Sequence, residues 1–222
     1  MAAGSSVLKD WLRPTYFLDW QSPAVRDFAA RATAGAESQV ERAIRLFYAV
    51  RDGFRYDPYG VAREREAYRA SRIVKGSTGF CVTKAILLTS LARASGLPAR
   101  LGFADVRNHL TSPKLLERMG TDVFFFHGYS EFHLEGRWLK AAPTFNLELC
   151  ERFGVKPLEF DGTADALLHE FDSEGRRHME YVNERGSFDD LPFEEMRRIF
   201  DEAYGDDGYA DPISEVDSFF HD

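Results

Sequence analysis

Gly76-Ser77-Thr78-Gly79-Phe80-Cys81 runs directly into the apolar stretch Val82-Thr83-Lys84-Ala85-Ile86-Leu87-Leu88. Small and hydroxyl residues ahead of an apolar run predict a loop turning into a helix, with Ser77 or Thr78 as its N-cap. Cys81 then falls in the first helical turn, where unpaired backbone N–H groups and the positive end of the macrodipole favour a thiolate. Such a thiolate is a nucleophile, provided that a base serves it, and His127 is the candidate base. The thiol is accordingly expected to ionise below the ~8.5 of a free cysteine.

The elements that must position this pair are legible in outline. The helix begun at Cys81 ends at Ser95-Gly96-Leu97-Pro98, with Gly96 as a left-handed cap and Pro98 blocking continuation. A strand follows near 100–107. Residues 108–122 read as an insertion holding a short helix around Leu115–Met119, in the place where a lid or a plain connection would sit. Strands near 123–134 and 137–142 form a hairpin whose tight turn at Glu135-Gly136 pairs residues whose numbers sum to 271. Along the first of them His127, Tyr129, Glu131 and His133 share one face. Ala142 becomes a diagonal neighbour of His127, Asn146 keeps the same parity, and Glu131 faces Lys140.

Upstream, Ser22-Pro23 opens a helix to about Ala34, and Val40, Ala43, Ile44, Phe47 and Val50 mark an amphipathic helix over 37–52. Residues 63–72 are charged and surface-facing. Beyond Asn146 the chain reads as polar and loop-rich until Asp190-Leu191-Pro192, which opens a helix to about Tyr204.

This order of motifs resembles the transglutaminase-like superfamily. That family carries a Gly-x-Cys helix, a Leu-x-Arg-Ala-x-Gly-x-Pro-Ala-Arg segment, a His-Ala-Trp-x-Glu strand and a Gly-x-Trp strand ending in Asp-Pro-Thr. The matching residues are Gly79 and Cys81, Leu91 to Arg100, His127 with Glu131, Gly136 with Trp138, and Pro143-Thr144, over roughly 40–146. One position departs: Ala142 stands where the family has its third catalytic residue, Asp. The resemblance implies an α+β, papain-like fold of a bacterial-type single-domain member, with N-terminal helices and a Cys-bearing helix packed on an antiparallel sheet. It also implies thiol-dependent acyl transfer, meaning transamidation or hydrolysis of an amide, ester or thioester. In that chemistry Cys81 attacks the carbonyl, His127 is general base and then acid, and the Cys81 backbone N–H serves the oxyanion. Tyr129 is a candidate cleft wall. With alanine at 142, Asn146 is the candidate to orient the imidazole through its side-chain oxygen. A small-molecule or peptide acyl compound is the expected substrate, with no cofactor.

Composition is consistent with one domain over 1–204 followed by an acidic tail over 205–222. Of the net charge of −8, six negatives lie beyond Gly205 without a single Lys or Arg, and the remainder is near balance. That leaves no nucleic-acid footprint. No stretch approaches membrane-spanning length and the N-terminus lacks a signal pattern, so a cytoplasmic protein is expected. Two cysteines do not make a disulfide framework, and Cys150 in its apolar setting reads as packing. Lys84 reads as a solvated helix residue or a support for the thiolate. His109, His133, His169 and His178 lack a compact ligand spacing, so no metal site is expected. Two other readings remain open: a non-catalytic binding module of the same fold, and a Cys-His enzyme acting on carbonyl or carbon–carbon bonds. The loss of Asp at Ala142 favours the module, and retention of both Cys81 and His127 opposes it.

Overall fold

A computed structural model describes residues 8–168 and 174–205 of the chain. The acidic tail beyond Gly205, and His169, lie outside the described residues.

Two helices come first, α1 (Pro23–Ala32) and α2 (Gln39–Gly53), capped by Ser22 and Ser38, whose hydroxyls accept the N–H groups of Val25 and Glu41. Each uses the serine oxygen to satisfy a backbone donor that the first turn leaves unpaired. A short strand β1 (Arg55–Tyr56) pairs in parallel with β2 (Thr78–Gly79), with the small helix α3 (Ala70–Ile73) between them. Cys81 then opens α4 (Cys81–Ala94). This helix is buried on all sides, including Val82, Ile86, Leu87, Leu88 and Leu91. It lies between α1 and α2 on one flank and the main sheet on the other, which is why it carries no polar stripe.

That sheet has four antiparallel strands: β3 (Ala99–Asn108), β4 (Val123–Leu134), β5 (Arg137–Ala141) and β6 (Met179–Phe188), in the order β5-β4-β3-β6. Helix α5 (Pro113–Met119) interrupts the β3–β4 connection, α6 (Leu147–Phe153) follows β5, and α7 (Phe193–Tyr204) closes the described chain. The fold is therefore α+β, with the Cys81 helix packed on an antiparallel sheet.

The hairpin register is as expected, from Ser130 opposite Ala141 to Leu134 opposite Arg137. Its loop is the two residues Glu135 and Gly136, both at positive φ, the conformation that matches strand twist in a two-residue turn. Three expectations fail. The N-cap of α4 is Phe80, because Ser77, Thr78 and Gly79 belong to the β1–β2 ladder. Thr83 supplies the missing chemistry, its hydroxyl accepting the Phe80 N–H at 3.0 Å. The region after Asn146 holds α6 and the whole of β6. The latter is half-exposed and polar, so its alternation is faint in the sequence. Lys84 is neither solvated nor beside the thiol; it is fully buried, and its ammonium donates to the carbonyls of Arg51, Phe54 and Thr144 at 2.7–2.9 Å.

Candidate active site

Cys81 is the first residue of α4, and what brings it against the sheet is the absence of a side chain at Gly128. A Cβ there would lie 2.9 Å from the Val82 Cα and 3.2 Å from the Cys81 carbonyl oxygen. Further along, Ser130 donates to the Ala85 carbonyl and bonds the Thr89 hydroxyl, so even-numbered positions of β4 face the helix. His127, paired with Ala104, starts from the opposite face, which it shares with Tyr129, Ala104 and Ala142.

Pairing with β5 stops at Ser130, so β5 leaves the 123–129 half of β4 without a strand on that side. Two side chains serve the backbone there. The Tyr204 hydroxyl accepts the Phe125 N–H at 2.7 Å and donates to the Val123 carbonyl at 3.2 Å. The Cys81 sulfur lies against the Gly128 N–H. The thiol thus rests beside the backbone that follows His127, while the imidazole itself does not line the cavity at the sulfur and has no hydrogen bond to it among the described residues.

The strand bends at this point. Phe126 has φ 54°, a left-handed conformation that is a steric outlier for a bulky side chain, and the β3–β4 register shifts between Ala104 and Val106. Asp105 holds the bend: its Oδ1 accepts the Phe126 N–H at 3.1 Å. Arg185 from β6 grips the same carboxylate at 2.6 and 2.9 Å, and its guanidinium lies 4.3 Å over the Phe126 ring. Because the bulge inserts a residue, Phe124 and His127 fall on the same face although their parities differ. Asp105 and Arg185 act on His127 only through this backbone, and no sequence motif marked them.

The electrostatics follow from closure. Cys81 is 5% exposed and His127 3%. Burial pushes the Cys81 thiol up to about 11, against the opposing effect of the Gly128, Val82 and Cys81 N–H groups. Burial alone lowers His127 to about 4. The resting pair is a neutral thiol and a neutral imidazole. The expected depression of the thiol is therefore reversed, because α5 and α7 cover the helix N-terminus and outweigh its dipole. A small cavity of about 50 Å3 remains beside Cys81, walled by Tyr56, Phe80, Leu115, Phe124, Phe125 and Tyr204, with the Arg118 guanidinium 4.7 Å over the Tyr59 ring at its rim.

The other predicted site residues fall as follows. Ala142 is buried in the apolar cluster with Tyr129, so no carboxylate stands there. The Asn146 Oδ1 accepts the Tyr56 N–H at 3.0 Å, and no bond joins Asn146 to His127 among the described residues. Tyr129 covers Gly102, on the face turned away from α4, and does not wall the Cys81 cavity. Glu131 is opposite Lys140 as expected, although its ion pair is with Arg100. Tyr56, missed in the sequence, borders the thiol cavity and is raised well above the usual phenol range, by burial first and then by Cys81. Among the described residues no group of His, Cys, Asp and Glu has a metal-binding arrangement.

The sequence profile of the transglutaminase-like superfamily matches residues 26–143, over half of the chain. The chain belongs to the transglutaminase-like superfamily. The match spans both Cys81 and His127 and ends just past Ala142. No curated protein matches. Among solved structures, a candidate cysteine protease from Cytophaga hutchinsonii is similar at 14% identity and a TM-score of 0.48, covering 82% of this chain and 54% of its own. The periplasmic domain of TgpA from Pseudomonas aeruginosa is similar at 17% identity and a TM-score of 0.44, covering 63% of this chain and 47% of its own. The chain thus spans about half the length of each. Among the described residues no helix of this superfamily member is long and apolar enough to cross a membrane.

Proposed function

We propose that this transglutaminase-like chain is a thiol-dependent acyl-transfer enzyme working through a Cys81 acyl-enzyme. The observation that carries the reading is the thiol of the first helical residue lying against the Gly128 N–H, one residue from a buried, neutral His127. A neutral imidazole is the form that accepts a proton. As a substrate carbonyl enters, His127 takes the thiol proton and the sulfur attacks. The Cys81 and Gly128 N–H groups, now facing the sulfur, are candidates to receive the developing oxyanion. His127 then returns the proton to the leaving group. An amine acceptor gives transamidation and water gives hydrolysis.

The second reading, a binding module, is favoured by Ala142 and by the thiol at about 11. One experiment separates them. The protein is incubated with p-nitrophenyl acetate and the adduct located by peptide mass spectrometry. The enzyme reading expects an acetyl group on Cys81, formed at least roughly a hundredfold more slowly in His127→Ala. Absence of any adduct on Cys81 overturns the acyl-transfer reading and favours the module.

A further inference from the structure

A second chamber, of about 90 Å3, adjoins the cavity at Cys81 and shares Tyr56, Pro58, Leu115 and Phe124 with it. Its far walls come from α6 and the loop leading into α5, through Leu149, Phe153, Val155 and Leu110. The Phe145 ring stands edge-on to Tyr56 at 4.9 Å along this chamber's wall. No Asp, Glu, Lys or Arg lines this chamber; its titratable groups are His178, Cys150 and Tyr56. Its few polar groups are committed in part: the Asn108 Oδ1 accepts the Leu110 N–H at 3.0 Å, and the Ser112 hydroxyl accepts the Leu115 N–H at 3.3 Å.

We infer that this chamber is an acyl-chain subsite that receives the apolar, ring-sized part of the group transferred to Cys81. The inference rests on Cys81 being the acyl-accepting nucleophile and adds the substrate class. The geometry supports it because the chamber and the thiol cavity share the walls Tyr56, Pro58, Leu115 and Phe124. An acyl carbonyl at the sulfur projects its substituent past Tyr56 into the apolar space. An uncharged aromatic or branched substituent gains burial there. An ammonium on the same carbon finds no acidic group there, and a carboxylate finds no Lys or Arg, only His178 and neutral polar groups, so either loses more hydration than this lining returns.

The test is competitive acylation of the full chain with p-nitrophenyl phenylacetate, acetate and hydrogen succinate. Each ester is normalised to its rate with a free thiol. In the reaction the thioester S–C bond forms, the ester C–O bond breaks, and p-nitrophenol leaves with the thiol proton. The expected result is phenylacetylation of Cys81 favoured roughly tenfold or more over both competitors. Leu149→Trp and Leu110→Trp, which fill the chamber from α6 and from the loop before α5, should each collapse that preference, so misfolding of one leaves the other to decide. Acylation of Cys81 without chain preference, or a preference that both fillings leave intact, overturns the subsite and spares the nucleophile. Acylation of Cys150 instead, or no adduct on Cys81 with any ester, overturns the nucleophile and the subsite with it.

Discussion

Gly128 and Val82 are in backbone contact: a methyl group on the glycine would stand 2.9 Å from the Val82 Cα. That contact seats the N-terminus of α4 against β4 and puts the Cys81 sulfur at the Gly128 N–H. The obstacle to a larger residue is backbone, which cannot rotate aside. Gly128→Ala is therefore expected to destabilise the protein by roughly 1–3 kcal/mol through overpacking. It should also shift the thiol relative to the Gly128 N–H and slow acylation. A melting temperature and acylation rate equal to those of the wild type would show that the helix and strand are not locked here.

The thiol at about 11 sets the pH dependence of alkylation in the free protein. The thiolate fraction grows tenfold per pH unit until pH approaches the pKa. The rate of iodoacetamide labelling at Cys81 should thus climb continuously from pH 6 to beyond 9. A plateau reached below pH 8 would mean that an ion pair with His127 already exists at rest.

His127 makes the folded state sensitive to acid. In the unfolded chain an imidazole takes up its proton near ~6.5, whereas folded His127 holds out to about 4. Between those values the unfolded state binds more protons, so stability falls as pH is lowered through the window. The full loss is on the order of 3 kcal/mol for a group this buried. In His127→Gln, which does not titrate, the dependence of melting temperature on pH between 6.5 and 4 should flatten. An unchanged slope would assign the acid sensitivity elsewhere.

Lys84 is a structural clamp. Its three ammonium protons meet three carbonyl oxygens, from the end of α2, the residue before β1 and Thr144. Burial lowers its pKa to about 7, while the three carbonyl dipoles favour the charged form. Lys84→Met keeps the length and strands three buried acceptors, so a cost of roughly 3–5 kcal/mol is expected. Thermal denaturation checks it; a loss under about 1 kcal/mol would show that water replaces the ammonium.

Tyr204 is the reporter of the cover. Its hydroxyl serves both Val123 and Phe125 on the open side of β4, and its ring walls the thiol cavity. Tyr204→Phe removes both bonds at a cost of roughly 1–3 kcal/mol. The loosened α7 should expose Cys81, raising its labelling rate at fixed pH. A rate that stays at the wild-type value would place the access route past α5 alone.

The sequence by itself determined which residues can do chemistry and the local geometry that carries them. Cys81 at a helix start, the two-residue turn at Glu135-Gly136 and the resulting pairing of Ser130 with Ala141 depend on neighbours in the chain, so propensity and spacing reveal them. The family was legible for the same reason, as an ordered set of short local motifs. Tertiary structure decided everything that depends on what arrives from far away. Thr83 capping Phe80 displaced Ser77 and Thr78 because β1 claimed them for a ladder. Asn146 gave its oxygen to Tyr56, ninety residues distant, rather than to the histidine. The bend at Phe126 exists because Asp105 and Arg185, on two other strands, hold its backbone. Most consequentially, the protonation state of the pair was not readable from Cys81 and His127 alone. A helix N-terminus favours a thiolate, but α5 and α7 close over it and remove the water that would solvate the charge, and in this structure desolvation wins.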